Sequence, residues 1–486
     1  MNALPTIPEA AAAVRTGQIK PLDLVERCLA QIDRYEDRLH AWVVVDRDGA
    51  RRTAETLGAE AARGQIRGPL HGIPIGVKDI IDVAGFPTKA GSPLREKHVA
   101  VADAPLVAAL RAAGAIILGK TVTVQFACFD PSPSRNPWSP DLRHTPGGSS
   151  SGSAVAVAMG MCLGALGTQT GGSLVRPSTY CGIATLKPTF GLLSADGIVP
   201  VSYHFDHAGP MARCVDDLIA MMECLVGRSF TASSRGAGCQ PAGDQAGSRW
   251  GGSCTAAPRR ARDVRGAAVQ LPPQPQAGWQ PAPRQPAARF RLGLLEQFFM
   301  EHADAAIRKV TESALEKLRQ AGAAIVSVSL PGGFDDVRTI HRTVMAVEAA
   351  AYHRQQFAAH RAAYGPMITG LLDEGLAISG VDYAAALAQQ RDFRRRVAAL
   401  FEGVDALIMP STDTTAPHTL ETTGTPKFQA PWSCAGVPVV SIPSGLADDG
   451  MPAAVQIVGP AGADAAVLQI ARWCEGEIGF DARPPI

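Results

Sequence analysis

The chain has 486 residues, 46% of them hydrophobic, with 46 Lys and Arg against 45 Asp and Glu for a formal net charge of +1. That length can bury a large core, and the near-neutral balance argues against an electrostatic partner: no basic stripe appears outside one segment, so neither nucleic acid nor a membrane surface is expected. The ten cysteines are scattered, with no CxxC pair and no Cys/His spacing suited to zinc, so they read as reduced thiols of a cytoplasmic protein.

The first seventy residues read as helices. Glu9 sits among alanines where a signal peptide would have a basic start and an apolar run, so none is expected. Thr6 with Glu9 three residues later has the form of a capping box, and Pro21 precedes Leu22, Val25, Leu29 and Ile32 at helical spacing. A third helix is expected over 49–62. From Leu70 the period changes to that of a short apolar strand, Gly72-Ile73-Pro74-Ile75-Gly76-Val77-Lys78-Asp79-Ile80. A lysine inside such a strand has two readings. Either Lys78 is a surface ammonium paired with Asp79 or Asp82, or it is buried, loses charge through desolvation and serves as a base. Residues 103–114 then form a helix stopped at Gly114, and 115–118 a buried strand.

The stretch 145–188 is the densest in serine and glycine. Gly147-Gly148-Ser149-Ser150 precedes a helix-like run at 154–161, and Thr170-Gly171-Gly172-Ser173 repeats the device. Paired glycines before a serine free the backbone to aim successive N–H groups into one concavity, the geometry an oxyanion requires. The longest apolar run, 154–166, is too short and too rich in glycine to span a bilayer. Short apolar strands are expected at 163–168 and 183–186.

From 229 to 289 the composition shifts to eight Arg, eight Pro and eight Gly with two Asp and no Lys or Glu, a charge of 8 − 2 = +6. That segment lacks the apolar content to offset its ordering entropy and reads as a low-complexity insertion between 1–228 and 290–486. Beyond it come a strand at 290–295, a helix at 303–320, a strand at 323–330, long helices at 337–360 and 382–401, a buried strand at 404–410 and a closing helix at 463–475. Helices alternating with short apolar strands give an α/β fold, a mixed sheet flanked by helices on both faces.

Gly147-Gly148-Ser149-Ser150-Ser151-Gly152-Ser153, then Gly167-Thr168-Gln169-Thr170-Gly171-Gly172-Ser173, with Gly76-Val77-Lys78-Asp79 upstream, resembles the core of the amidase signature family, whose members cleave C–N amide bonds. The likeness runs from the N-terminal helices to Pro410 and Gln456. It implies a single α/β domain with a twisted mixed sheet, interrupted by 229–289, no cofactor and no metal. It also implies a catalytic set: Ser173 as nucleophile, Ser149, entered through a cis peptide bond, as proton relay, and Lys78 as base. The backbone of Thr170, Gly171, Gly172 and Ser173 would hold the oxyanion, with Ser150 and Gln169 in support. Thr423-Gly424, Pro431-Trp432-Ser433 and Gly436-Val437-Pro438 match the pattern near the family's pocket. The implied substrates are a small amide and water, with a homodimer left open.

Two positions depart from the usual pattern. Gln169 stands where the family has an aspartate, which puts the loop's supporting hydrogen bonds in question. Arg176 comes three residues after the nucleophile, where an arginine is usual two after it. It reads either as the anchor of a substrate carboxylate or as a structural ion pair. Phe126, Phe129, Tyr180 and Trp432 are candidates for an acyl pocket or for plain core. Three alternatives stand beside the stand-alone amidase: a Ser-His-Asp arrangement using His204 or His207, a glutaminase subunit of a tRNA-dependent amidotransferase, and a catalytically silent binding protein with the same fold.

Overall fold

The computed structural model describes residues 4–230 and 290–486. The expected insertion at 229–289 lies outside the described residues except for Ser229 and Phe230, and Phe230 is buried. Among the described residues eleven strands are formed in chain order: β1 Trp42–Val45, β2 Pro74–Lys78, β3 Ile116–Thr121, β4 Gly164–Gln169, β5 Ala184–Lys187, β6 His207–Ala212, β7 Arg291–Leu294, β8 Ala324–Ser327, β9 Ala406–Pro410, β10 Val439–Leu446 and β11 Pro452–Val458. They make one mixed sheet in the order β1-β3-β2-β4-β6-β5-β10-β11-β9-β7-β8. Strands from before residue 231 and after residue 289 therefore share a single hydrogen-bonded ladder. β2 lies between β3 and β4, parallel to both, and β4 pairs antiparallel with β6.

Strands covered on both faces carry side chains that never see water, and β2, β3 and β4 are buried at every position. Helices flank the sheet. At the N-terminus the capping box is present, with Thr6 N donating to Glu9 and Glu9 N donating to the Thr6 hydroxyl. Helix Pro21–Leu39 buries Leu24, Val25, Cys28, Leu29 and Ile32 along one stripe.

The structure corrects the reading of the first seventy residues as helical. Trp42-Val43-Val44-Val45, rich in β-branched side chains, forms edge strand β1 against β3. The helix expected at 154–161 starts earlier, spanning Ser151–Ala158, so it begins directly after the Ser149-Ser150 pair. Gly152 makes that approach possible. A Cβ there would collide with Ala41 O and Val122 N, both backbone atoms that cannot move aside. β6, β10, β11 and the helices Val215–Val226 and Pro366–Ala377 are further elements beyond the sequence reading.

Candidate active site

Lys78 ends β2, and Ser149 and Ser150 sit at the turn into helix Ser151–Ala158, which packs against β2 and β4. Lys78 is fully buried. Its Nζ stands 2.8 Å from Ser149 Oγ and 2.8 Å from Thr168 Oγ1. No carboxylate pairs with it among the described residues, because Asp79 forms a buried ion pair with Lys120 at 3.1 Å on the other side of the strand end. The surface pairing of Lys78 with Asp79 or Asp82 is thereby excluded. Desolvation, only partly offset by the field of Asp206, brings the Lys78 amine down to about 7. A neutral amine within hydrogen-bond distance of a serine hydroxyl is thus accessible at neutral pH.

Ser149 follows a cis peptide bond from Gly148. Gly147 before it has φ +75°, and a Cβ there would lie 2.9 Å from Pro177 Cα. Only glycine meets both demands without strain. Ser150 Oγ donates to Thr168 O at 3.2 Å and accepts from Thr168 N at 3.3 Å, fastening the turn to the end of β4.

The chain leaves β4 at Gln169 and passes through Thr170-Gly171-Gly172-Ser173 into helix Val175–Tyr180. Gln169 answers the question raised by the missing carboxylate. Its Oε1 accepts from Leu174 N at 2.9 Å and Val175 N at 3.1 Å, while its Nε2 donates to Ser433 Oγ at 3.1 Å. Ser433 in turn donates to Gly171 O at 3.0 Å. A neutral amide therefore supports the loop with both of its ends. Thr170 Oγ1 donates to Asp206 Oδ1 at 2.5 Å, and His341 Nε2 donates to Thr170 O at 3.0 Å. Among the described residues, the N–H groups of Gly171, Gly172 and Ser173 reach no protein acceptor. Free donors in succession are able to receive an anionic oxygen.

Ser149, Thr170, Gly171, Gly172, Ser173 and Arg176 all line one cavity of about 620 Å³. Phe129 and His341 also face it. Arg176 is buried and makes no ion pair among the described residues; its Nη2 donates to Gly148 O at 2.7 Å and Thr423 Oγ1 at 3.2 Å. Trp432 does not belong to the wall. It is fully buried, stacked on Phe299 with ring centroids 5.6 Å apart, and its helix offers Ala430 to the cavity in its place. Phe126 and Tyr180 are likewise core. His204 and His207 line no part of the cavity. His204 pairs with Glu348, and His207 Nδ1 donates to Phe205 O at 2.6 Å while burial holds its ring well below the usual imidazole range. A triad through either histidine has no support in this geometry.

Sequence reasoning missed Thr168 and His341, and met Asp206 only as the acid beside His204 and His207 in the Ser-His-Asp alternative. Asp206 accepts from Val201 N, Ser202 N and the Thr170 hydroxyl, a role assembled by a loop after β5 that carries no motif. Among the described residues the one grouping of three metal-capable side chains is Asp141, His144 and His418, whose ligand atoms lie within 4.8 Å of one another. None of them lines the cavity.

The structure is thus a large mixed sheet between helices, with two glycine-flanked serines on one cavity and a buried lysine behind the first of them. The profile of the family described as Amidase matches residues 23–245 and 261–468, and the chain belongs to the amidase signature family. It is 32% identical to the A subunit of the glutamyl-tRNA(Gln) amidotransferase from Anaeromyxobacter sp. strain K, over 98% of this chain and 97% of that one. It is 31% identical to an amidase of Pseudomonas putida, over 92% and 90%. Among solved structures it superposes on an amidase crystal structure with a TM-score of 0.81 and 30% identity, covering 98% of this chain and all of that one. The peptide amidase of Stenotrophomonas maltophilia gives 0.75 and 28%, covering 99% and 98%. Family membership supports a hydrolase acting on carbon–nitrogen bonds. No helix among the described residues is long and apolar enough to cross a membrane.

Proposed function

We propose that the protein is an amidase that hydrolyses a small carboxylic amide through an acyl-enzyme on Ser173. The observation that carries this reading is the buried amine of Lys78, 2.8 Å from Ser149 Oγ and free of any carboxylate partner among the described residues. An amide carbonyl is a poor electrophile and its amine a poor leaving group, so three things are needed: an activated nucleophile, a place for the oxyanion and a proton for nitrogen.

The steps follow from the chemistry of the groups. Ser173 Oγ bonds to the amide carbon as its proton passes to Ser149, whose own proton passes to neutral Lys78. The carbonyl oxygen takes up negative charge facing the amides of Gly171, Gly172 and Ser173. As the C–N bond breaks, Ser149 gives its proton to the departing nitrogen and is resupplied by the Lys78 ammonium. Water then attacks the ester by the same relay, the acid leaves, and Ser173 regains its proton.

The glutaminase of a tRNA-dependent amidotransferase is a second reading, favoured by near full-length similarity to glutamyl-tRNA(Gln) amidotransferase chains. Purified protein, incubated alone with simple amides and with glutamine, separates the two. Hydrolysis of simple amides with a mass increment on Ser173 supports the stand-alone amidase. Absence of both, with turnover of glutamine only when the partner chains of an amidotransferase are added, overturns it.

A further inference from the structure

Away from the cavity, the turn holding Asp141 and His144 meets the loop holding His418. The ligand atoms of these three side chains come within 4.8 Å of one another, although 277 residues separate Asp141 from His418. His418 Nε2 meets Asp141 Oδ2 at 2.7 Å, and the centroids of the His144 and His418 rings are 4.4 Å apart.

Ser139 organises the turn. Its hydroxyl donates to Asp141 Oδ1 at 2.7 Å, stands 2.9 Å from His144 Nδ1, and accepts from Arg143 N and His144 N at 3.1 and 3.2 Å. Arg143 N also donates to Asp141 Oδ1 at 3.0 Å. One oxygen of the carboxylate is thus held by the turn, and the other faces an imidazole. Hydrogen bonds of this kind behind a ligand fix its orientation before an ion arrives.

An ion pair alone accounts for little of this arrangement. The Asp141 and His418 side chains are 48% and 53% exposed, and pairs so open to water contribute little to stability. The second imidazole adds repulsion whenever both rings are protonated. Asp141 and Asp449 both act on His144 through their fields, and neither pairs with a lysine or arginine among the described residues. Two imidazoles and a carboxylate suit zinc, nickel, copper or cobalt, whereas magnesium and calcium take oxygen ligands. An ion about 2.0–2.2 Å from each donor holds the donors about 3.4 Å apart, so the present spacing closes with side-chain shifts of about 1 Å.

The backbone joins this cluster to the cavity. Thr145 N donates to Pro417 O at 3.0 Å, beside both histidines. Trp138 and Ala416, from the same two segments, pack with Tyr180 in one apolar cluster. His144 stands five residues before Ser149, and His418 five before Thr423, whose hydroxyl receives Arg176 Nη2.

We propose that Asp141, His144 and His418 bind one divalent transition metal ion of the zinc class, and that the ion clamps the segment leading to Ser149 against the segment leading to Thr423. The ion takes no part in amide cleavage, so the site holds or fails independently of that reading.

The test uses the full-length protein stripped with EDTA. Calorimetric titration shows one equivalent of Zn²⁺ bound with a Kd that is micromolar or tighter, Co²⁺ gives the visible d–d absorption of nitrogen- and oxygen-ligated cobalt, and Mg²⁺ or Ca²⁺ gives neither. With free Zn²⁺ at about 100 times Kd, Tm rises by about 2–3 °C. Hydrogen exchange slows in peptides spanning 139–148 and 411–423. His418→Ala, at an exposed position, and His144→Ala weaken binding by about 100-fold or more and abolish the cobalt band, the thermal shift and the exchange protection. Absence of saturable Zn²⁺ binding by the native protein overturns the site, as does unchanged affinity in His418→Ala. Binding that the variants lose, but that leaves exchange in both segments unaltered, overturns the clamp. Should His144→Ala fail to fold, His418→Ala and the native titration still decide.

Discussion

Asp206 holds the hydroxyl of Thr170 at 2.5 Å and contributes the largest favourable field on the Lys78 ammonium. One carboxylate, itself raised to about 6 by burial, therefore acts on the Thr170 loop through a hydrogen bond and on Lys78 through its field.

The first consequence is a pH dependence. With Lys78 near 7, the base is occupied by a proton below that pH and free above it. kcat/KM measured on a simple amide should rise with pH through a single ionisation near 7. A profile flat from pH 5 to 8 contradicts the assignment.

Asp206→Asn removes the negative charge that favours the ammonium. The same limb should then move to lower pH, with a reduced kcat because Thr170 loses its anchor. A limb that stays in place shows that Asp206 does not act on Lys78.

Lys78→Met separates function from stability. Activity should fall by roughly 10³-fold or more, since the relay has lost its base. The fold is expected to hold. The folded-state pKa of Lys78 is lowered relative to the unfolded chain, so the unfolded state binds more protons between about 7 and about 10.4. Native stability gains from this group as pH rises through that window. Denaturant melts should therefore show the native protein improving relative to Lys78→Met on going from pH 7 to pH 10.

Gln169→Glu tests the neutral support beneath the loop. Ser433 already gives its proton to Gly171 O, so a carboxylate at 169 would face a hydroxyl oxygen with no proton to offer. kcat is expected to drop while the circular dichroism spectrum is unchanged. Full activity would show that the loop tolerates a charge there.

Lys120→Met leaves Asp79 buried without its cation. Breaking such a pair costs about 3–5 kcal/mol, and the urea midpoint should fall accordingly. Lys120 also donates to Pro87 O at 2.8 Å and Thr88 Oγ1 at 3.2 Å, so the loss extends to the loop after β2.

Lys78, Ser149 and Ser173 could be singled out in the sequence because the chemistry proposed for them demands local patterns. Glycine pairs before Ser149 and Ser173 are visible wherever they fall, and a lysine in an apolar strand is anomalous by composition alone. What stayed hidden was built by tertiary contact. Nothing in the order Phe205-Asp206-His207 shows which of the three reaches Thr170, and the histidines drew attention that belonged to the aspartate. Trp432 looked like a pocket wall by its neighbourhood, yet a six-residue helix, Ala430–Ala435, turns it into the core. β10 and β11 were missed because their residues, largely buried on both faces, show no alternation to read.

Lys78 and Asp79 are adjacent, yet one is a solitary amine and the other is half of a closed ion pair. Neighbouring positions on an extended backbone point to opposite sides. The electrical character of the site is therefore a matter of parity. Deleting one residue from the run before Lys78 would exchange the two, presenting an acid to the Ser149 hydroxyl and stranding the amine beside Lys120. Such a protein would keep every residue proposed for catalysis and lose the arrangement that the proposal needs.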